Sequence, residues 1–114
     1  MIKRGIATPI MHRFVEHNGV LYFGGLVADD HGTPMREQTA QICTKLDALL
    51  AEAGSDKSKL LSAMLYITDM SQKGAMNEAW LGWLDAADLP TRATIGVADL
   101  GEGVLIEIVV TASC

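Results

Sequence analysis

The residues best placed to do chemistry lie near the C-terminal end: Arg92, Thr94 and Glu107. Arg92 and Thr94 stand two positions apart, so on a strand both side chains leave the same face. Ile106 and Ile108 flank Glu107 and read as core, which places Glu107 on the other face of its strand. If the two strands form a hairpin with Thr94 opposite Glu107, the three side chains gather in one neighbourhood on the face away from the core. A guanidinium in a half-buried place suits a small carboxylate, which it grips through two parallel hydrogen bonds. Each charge-assisted bond contributes roughly 1.5–3 kcal/mol, enough for millimolar to micromolar retention of a small acid when shape helps. Glu107 would position or deprotonate a water, and Thr94 would donate to developing charge. A structural Arg92–Glu107 ion pair accounts for the same spacing equally well.

Other polar groups are weaker candidates. Asp29-Asp30-His31-Gly32 contains metal-ligand residue types but reads as a turn. Cys43 falls on the core stripe of a helix and Cys114 is the last residue, so neither a disulfide framework nor a metal site is expected. Reduced thiols fit a cytoplasmic setting. Trp80 and Trp83, one helical turn apart, read as core anchors rather than a ligand cage.

The elements that must position these residues follow from local pattern. Asn18-Gly19 between two β-rich runs, Phe14 to Phe23, is a strong hairpin signal, because both turn residues tolerate positive φ. Gly24-Gly25 ends or bulges the second strand. Thr33 as N-cap and Pro34 at the first helical position open a helix with the stripe Ile42, Cys43, Leu46, Leu49, Leu50, Ala53, which Gly54 stops. Leu60 to Thr68 is a strand with Leu61, Ala63, Leu65 and Ile67 on one face. A second helix runs from about Ser71 to Ala87, with Met76, Ala79, Trp80, Trp83 and Leu84 inward. Two strands close the chain, Arg92 to Ala98 and Val104 to Thr111. Ala93, Ile95 and Val97 share the core face of one; Val104, Ile106, Ile108 and Val110 share that of the other. The predicted order is β-β-α-β-α-β-β, with room for a short strand before the first hairpin: an α+β domain spanning residues 1–114, its mixed sheet carrying two helices on one face.

Hydrophobic residues make up 49% and charged residues 20% of the chain, an ordinary globular balance. A net charge of −5 disfavours nucleic acid or an anionic membrane surface as the main partner. The first residues lack the apolar run of a secretory signal, and no window is long and apolar enough for a membrane helix. Two helices cover only one sheet face, yet Met64, Tyr66, Gly96, Ala98, Leu105 and Val109 are predicted on the other. Such a bare apolar face marks a protein contact, and a closed homo-oligomer follows, without a stoichiometry.

The run Pro90-Thr91-Arg92-Ala93-Thr94-Ile95-Gly96-Val97-Ala98-Asp99-Leu100, followed by Ile106-Glu107-Ile108, resembles the C-terminal signature of the RidA (YjgF) family. The resemblance covers nearly the whole chain, through Gly24-Gly25, the helix end Ala53-Gly54, the Leu65-to-Asp69 strand end and Met76-Asn77-Glu78-Ala79-Trp80. It implies a chorismate-mutase-like fold and a homotrimer with three ligand clefts between subunits. It also implies cofactor-free hydrolysis of reactive enamines and imines, such as 2-aminoacrylate, to 2-oxo acids and ammonia. By resemblance, Arg92 matches the arginine that grips the substrate carboxylate, Glu107 the cleft glutamate, and Asn77 a helix asparagine nearby. Gly25 joins them as a ligand-binding position.

Two positions depart from the family pattern. Thr94 stands where a cysteine is common and keeps a hydrogen-bonding group. Met11, with His12 beside it, stands where founding members carry a tyrosine that lines the cleft. His12 is either a replacement proton carrier or an exposed loop histidine. Two other functions stay in view: a non-catalytic small-carboxylate-binding trimer of the same family, and RNA cleavage or translation inhibition, which the acidic balance disfavours.

Overall fold

The computed structural model describes residues 1–114. Its elements run β1 (Lys3–Ala7), β2 (His12–His17), β3 (Val20–Phe23), α1 (Met35–Glu52), β4 (Leu60–Ile67), α2 (Lys73–Trp83), β5 (Thr91–Gly96) and β6 (Ile106–Ser113). The six strands form one mixed sheet in the order β1-β2-β3-β6-β4-β5. β4 and β5 run parallel, joined through α2, and every other neighbouring pair is antiparallel. No helix is long and apolar enough to cross a membrane.

Local sequence accounts for most of these elements. Asn18 and Gly19 adopt φ of 52° and 79°, and the β2–β3 hairpin closes on the pair His17–Val20 as predicted. The short strand before it is β1. The end of α1 is a Schellman motif: Gly54 turns at φ 81°, Ser55 N donates to Leu50 O and Gly54 N to Ala51 O. At its start the helix is one residue later than predicted. Pro34 occupies the N-cap and offers no side-chain bond, while the Thr33 hydroxyl donates to Asp30 O. α2 is shorter than the predicted Ser71-to-Ala87 helix. Asp69 caps a 3-10 turn over Met70–Gln72 before it, and the helix ends at Trp83.

Both helices pack on one face of the sheet. Ile42, Leu46, Leu50, Met76 and Trp80 join Leu21, Phe23, Leu65, Ile67, Ile106 and Ile108 in a single core. Gln38 is buried within it and satisfied on both sides of its amide. Its Nε2 donates to Thr33 O and Gly103 O, each at 2.9 Å, and its Oε1 accepts from Leu105 N at 3.0 Å. It thereby fixes the segment that delivers β6. In β4 a register shift between Leu60 and Ser62 turns Leu60 inward and leaves Leu61, predicted as core, 45% exposed.

The closing strands do not form the predicted hairpin. β4 lies between them, antiparallel to β6 and parallel to β5. This reverses the expected face of β5. Arg92 and Thr94 are in register with Ala63 and Leu65, both buried on the helix side. Ala93 and Ile95, predicted as core, are instead in register with Met64 and Tyr66, and Val97 lies beyond the strand. Gly96, predicted on the bare face, pairs with the core residue Ile67, while Ala98 and Leu105 fall outside the strands. The bare face itself is real. It carries Tyr22, Met64, Tyr66, Ala93, Ile95 and Val109, with Tyr22 50% and Ile95 38% exposed.

Candidate functional site

The structure divides the predicted site residues into two clusters. The first lies where β5, the sheet edge, passes α2. Pro90, with its fixed φ, leads into β5, and the register with Ala63 places Arg92 on the helix side. There a cavity of about 240 Å³ opens between Asn77, Trp80 and Leu81 of α2 and Leu89, Pro90 and Arg92. Arg92 has no ion-pair partner; the salt bridges of the chain join Arg36 to Glu37 and Glu78, and Lys45 to Asp29. Asn77 Oδ1 and Thr94 Oγ1 are buried and accept or donate no hydrogen bond within the chain. Buried polar atoms without partners are costly; Asn77 lines the cavity with Arg92, and Thr94 follows Arg92 two residues along the same strand face.

The second cluster lies at the end of the β2–β3 hairpin. Gly24 N still donates to Arg13 O at 3.0 Å, after which Gly25 leaves the hairpin. Leu26 rejoins the sheet beside β6 by exchanging both backbone bonds with Ile108, at 2.9 and 3.0 Å. This docking sets Gly25 against Glu107: a Cβ at Gly25 would sit 2.9 Å from Glu107 Cδ. Met11 lies against Gly24 next to it, its Sδ 3.0 Å from where a Gly24 Cβ would be. Glu107 is in register with Tyr66, on the bare face.

Arg92 and Glu107 are therefore not neighbours within one chain. They sit on opposite faces of the sheet, two strands apart and three rows along, a separation of at least about 10 Å from strand spacing alone. The predicted Thr94–Glu107 pairing and an intrachain Arg92–Glu107 ion pair are both absent. His12 is exposed at the start of β2, opposite Ala7, and belongs to neither cluster as the contacts stand.

No three His, Cys, Asp or Glu side chains gather as a metal site. Asp30 Oδ1 accepts from Gly32 N at 2.9 Å, so Asp29-to-Gly32 is a turn. Burial pushes the Cys43 thiol up to about 12, which leaves it an inert core group. Sequence reading missed the cavity walls Leu81, Leu89 and Pro90. The available signal was Leu81, a large apolar residue one position off the inward stripe of its helix.

The family model described as Endoribonuclease L-PSP matches residues 6–114. A RutC family protein of Haemophilus ducreyi is 35% identical over 113 residues, covering 99% of this chain and 97% of its own. The RutC family protein YoaB of Escherichia coli K12 is 34% identical over 99 residues, covering 87% of this chain and 86% of its own. A solved member of the YjgF protein family from Neisseria meningitidis superposes with a TM-score of 0.94 at 34% identity, over 99% of this chain and 94% of its own.

Proposed function

Because the chain belongs to the YjgF (RidA, RutC) family, we propose that it is a cofactor-free deaminase that hydrolyses 2-imino and 2-enamino acids to 2-oxo acids and ammonia. The observation that carries this reading is Arg92, a guanidinium without a counter-charge beside a small cavity and an unpartnered Asn77 carbonyl. The substrate carboxylate supplies the missing charge through two parallel hydrogen bonds. Asn77, the other polar residue lining the cavity, helps to orient the bound acid. Water adds to C2, giving a carbinolamine; a proton passes to nitrogen, the C–N bond breaks, and ammonia leaves as the C2 carbonyl forms. Glu107 is the base that takes the proton from water and returns it to nitrogen.

Because Arg92 and Glu107 lie on opposite faces of one chain, the reading requires a partner. The bare apolar face supports a closed homo-oligomer, which the family resemblance makes a homotrimer, in which Arg92, Thr94 and Asn77 of one protomer meet Met11, Gly25 and Glu107 of the next. Each protomer then contributes to two clefts.

The test is ammonia release from imines generated by an amino-acid oxidase. Wild type accelerates it, and Arg92→Ala lowers kcat/KM at least about tenfold, in keeping with the loss of charge-assisted bonds. No acceleration by wild type, or full activity in Arg92→Ala, sinks the proposal. Met11 at the tyrosine position favours a second reading, a small-carboxylate binder without turnover. Saturable 2-oxo acid binding with no ammonia release would select it. The ribonuclease description of the family model has little support in this chain, whose net charge is −5.

A further inference from the structure

We infer that the cavity between α1 and the end of the β2–β3 hairpin is a second anion site, which takes a small monocarboxylate with a hydrocarbon tail of a few carbons. Its volume is about 350 Å³, and Arg13, Leu26, Asp29, Lys45, Ala48 and Leu49 line it. None of these residues lines the Arg92 cavity, and three strands of the sheet separate β2 from β5. Its wall of α1 residues puts it on the helix side, away from the bare sheet face that an oligomer covers. The site is independent of the deaminase reading.

Charge decides what the cavity holds. Lys45 is tied down: its Nζ donates to Val27 O at 2.8 Å and to Asp29 Oδ1 at 2.9 Å. An ammonium has three donors, so one N–H is left over. The hydrogen bond from Lys45 holds the Asp29 carboxyl below its usual 3.8, so Asp29 is ionised at neutral pH. Arg13 is half-buried and has no ion-pair partner. Two cations and one carboxylate leave a single positive charge, in a chain whose net charge is −5. That balance fits a monoanion; the second charge of a phosphate dianion would face Asp29 uncompensated.

The remaining wall sets the tail. Leu26, Ala48 and Leu49 present hydrocarbon, and Leu26, 2% exposed, is anchored in the core. An alkyl chain laid against them leaves water, while the carboxylate takes two parallel bonds from the Arg13 guanidinium and the spare donor of Lys45. The volume falls within the range of roughly 300–1,000 Å³ that holds small molecules.

The experiment titrates the Arg92→Ala protein, whose other carboxylate site is disabled, with hexanoate, acetate and inorganic phosphate, following the backbone amide NMR signals of Leu26, Lys45 and Leu49. Hexanoate should bind at least about tenfold more tightly than acetate, because its extra methylenes leave water. It should also bind more tightly than phosphate. Adding Arg13→Ala should weaken hexanoate at least about tenfold, the loss of charge-assisted bonds. Adding Ala48→Glu instead, at an exposed helix position, should weaken it as much by setting a carboxylate in the cavity without removing a core contact. Hexanoate that shifts none of these signals overturns the inference. So does an affinity unchanged in either added variant, the result expected of a solvated surface arginine. Phosphate or acetate binding as tightly as hexanoate overturns the assignment to a tailed monocarboxylate. A wild type that turns over no imine defeats the deaminase reading and leaves these titrations as they are.

Discussion

The side chain of Glu107 fills the space that a side chain at Gly25 would need: a Cβ there would lie 2.9 Å from Glu107 Cδ and 3.2 Å from its Cγ. The two residues come from segments far apart in sequence, brought together by the backbone exchange between Leu26 and Ile108. Glycine at position 25 is thus required by the approach of a carboxylate, with no unusual φ involved.

Gly25→Ala should displace Glu107 and lower turnover, with a stability loss of about 1–3 kcal/mol from overpacking. Gly24→Ala meets only the flexible end of Met11, at 3.0 Å, and should be milder. Parallel urea melts and imine-hydrolysis rates on the two variants check this. Equal effects would mean that the Gly25–Glu107 approach has no special role.

Mixing two inactive proteins should restore activity if the clefts form between subunits. Arg92→Ala and Glu107→Gln, unfolded and refolded together at equal amounts, would leave about a quarter of the clefts with both wild-type halves in a cyclic assembly. Ammonia release near that fraction of wild type is expected. A mixture as inactive as its parents places both residues in one chain's site or outside the site altogether.

Gln38→Ala should destabilise the protein without touching either cluster. It strips hydrogen bonds from Thr33 O, Gly103 O and Leu105 N, and a buried group left unpaired costs about 1–3 kcal/mol. A fall in melting temperature of about 4–8 °C per kcal/mol follows for a domain of this size. A change of under a degree in calorimetry would show that water readily replaces the amide.

Acid should weaken the 3-10 turn that leads into α2. The Ser71 hydroxyl donates to Asp69 at 2.6 Å and its backbone N–H at 3.0 Å, and these bonds hold the Asp69 carboxyl below its usual 3.8. Because the folded value is depressed, the stabilisation is present above the unfolded value and is lost as pH falls through the folded one. Thermal melts of wild type and Asp69→Asn should differ near neutrality, begin to converge as pH falls below about 3.8 and coincide only below the lower folded value. A gap that persists in acid would assign the effect to something other than charge.

Sequence by itself determined the pieces. The Asn18-Gly19 turn, the Gly54 stop, the inward sets of α1 and β6 and the Arg92, Thr94 and Glu107 candidates are all readable from spans of a few residues, where propensity and periodicity act. The family signature between Pro90 and Ile108 added the activity to test. Periodicity also showed that β5 has two distinct faces. It could not say which one turns inward, because Ala93 and Ile95 are as apolar as a core face would be. Tertiary structure decided that point. β4 pairs with β6 along its length and enters the sheet between its two successors. Strand pairing is settled by competition among all strands for backbone hydrogen bonds and core burial, and that competition is not local. Its outcome put Arg92 beside α2 and Glu107 against Gly25, turning one predicted cluster into two separate ones.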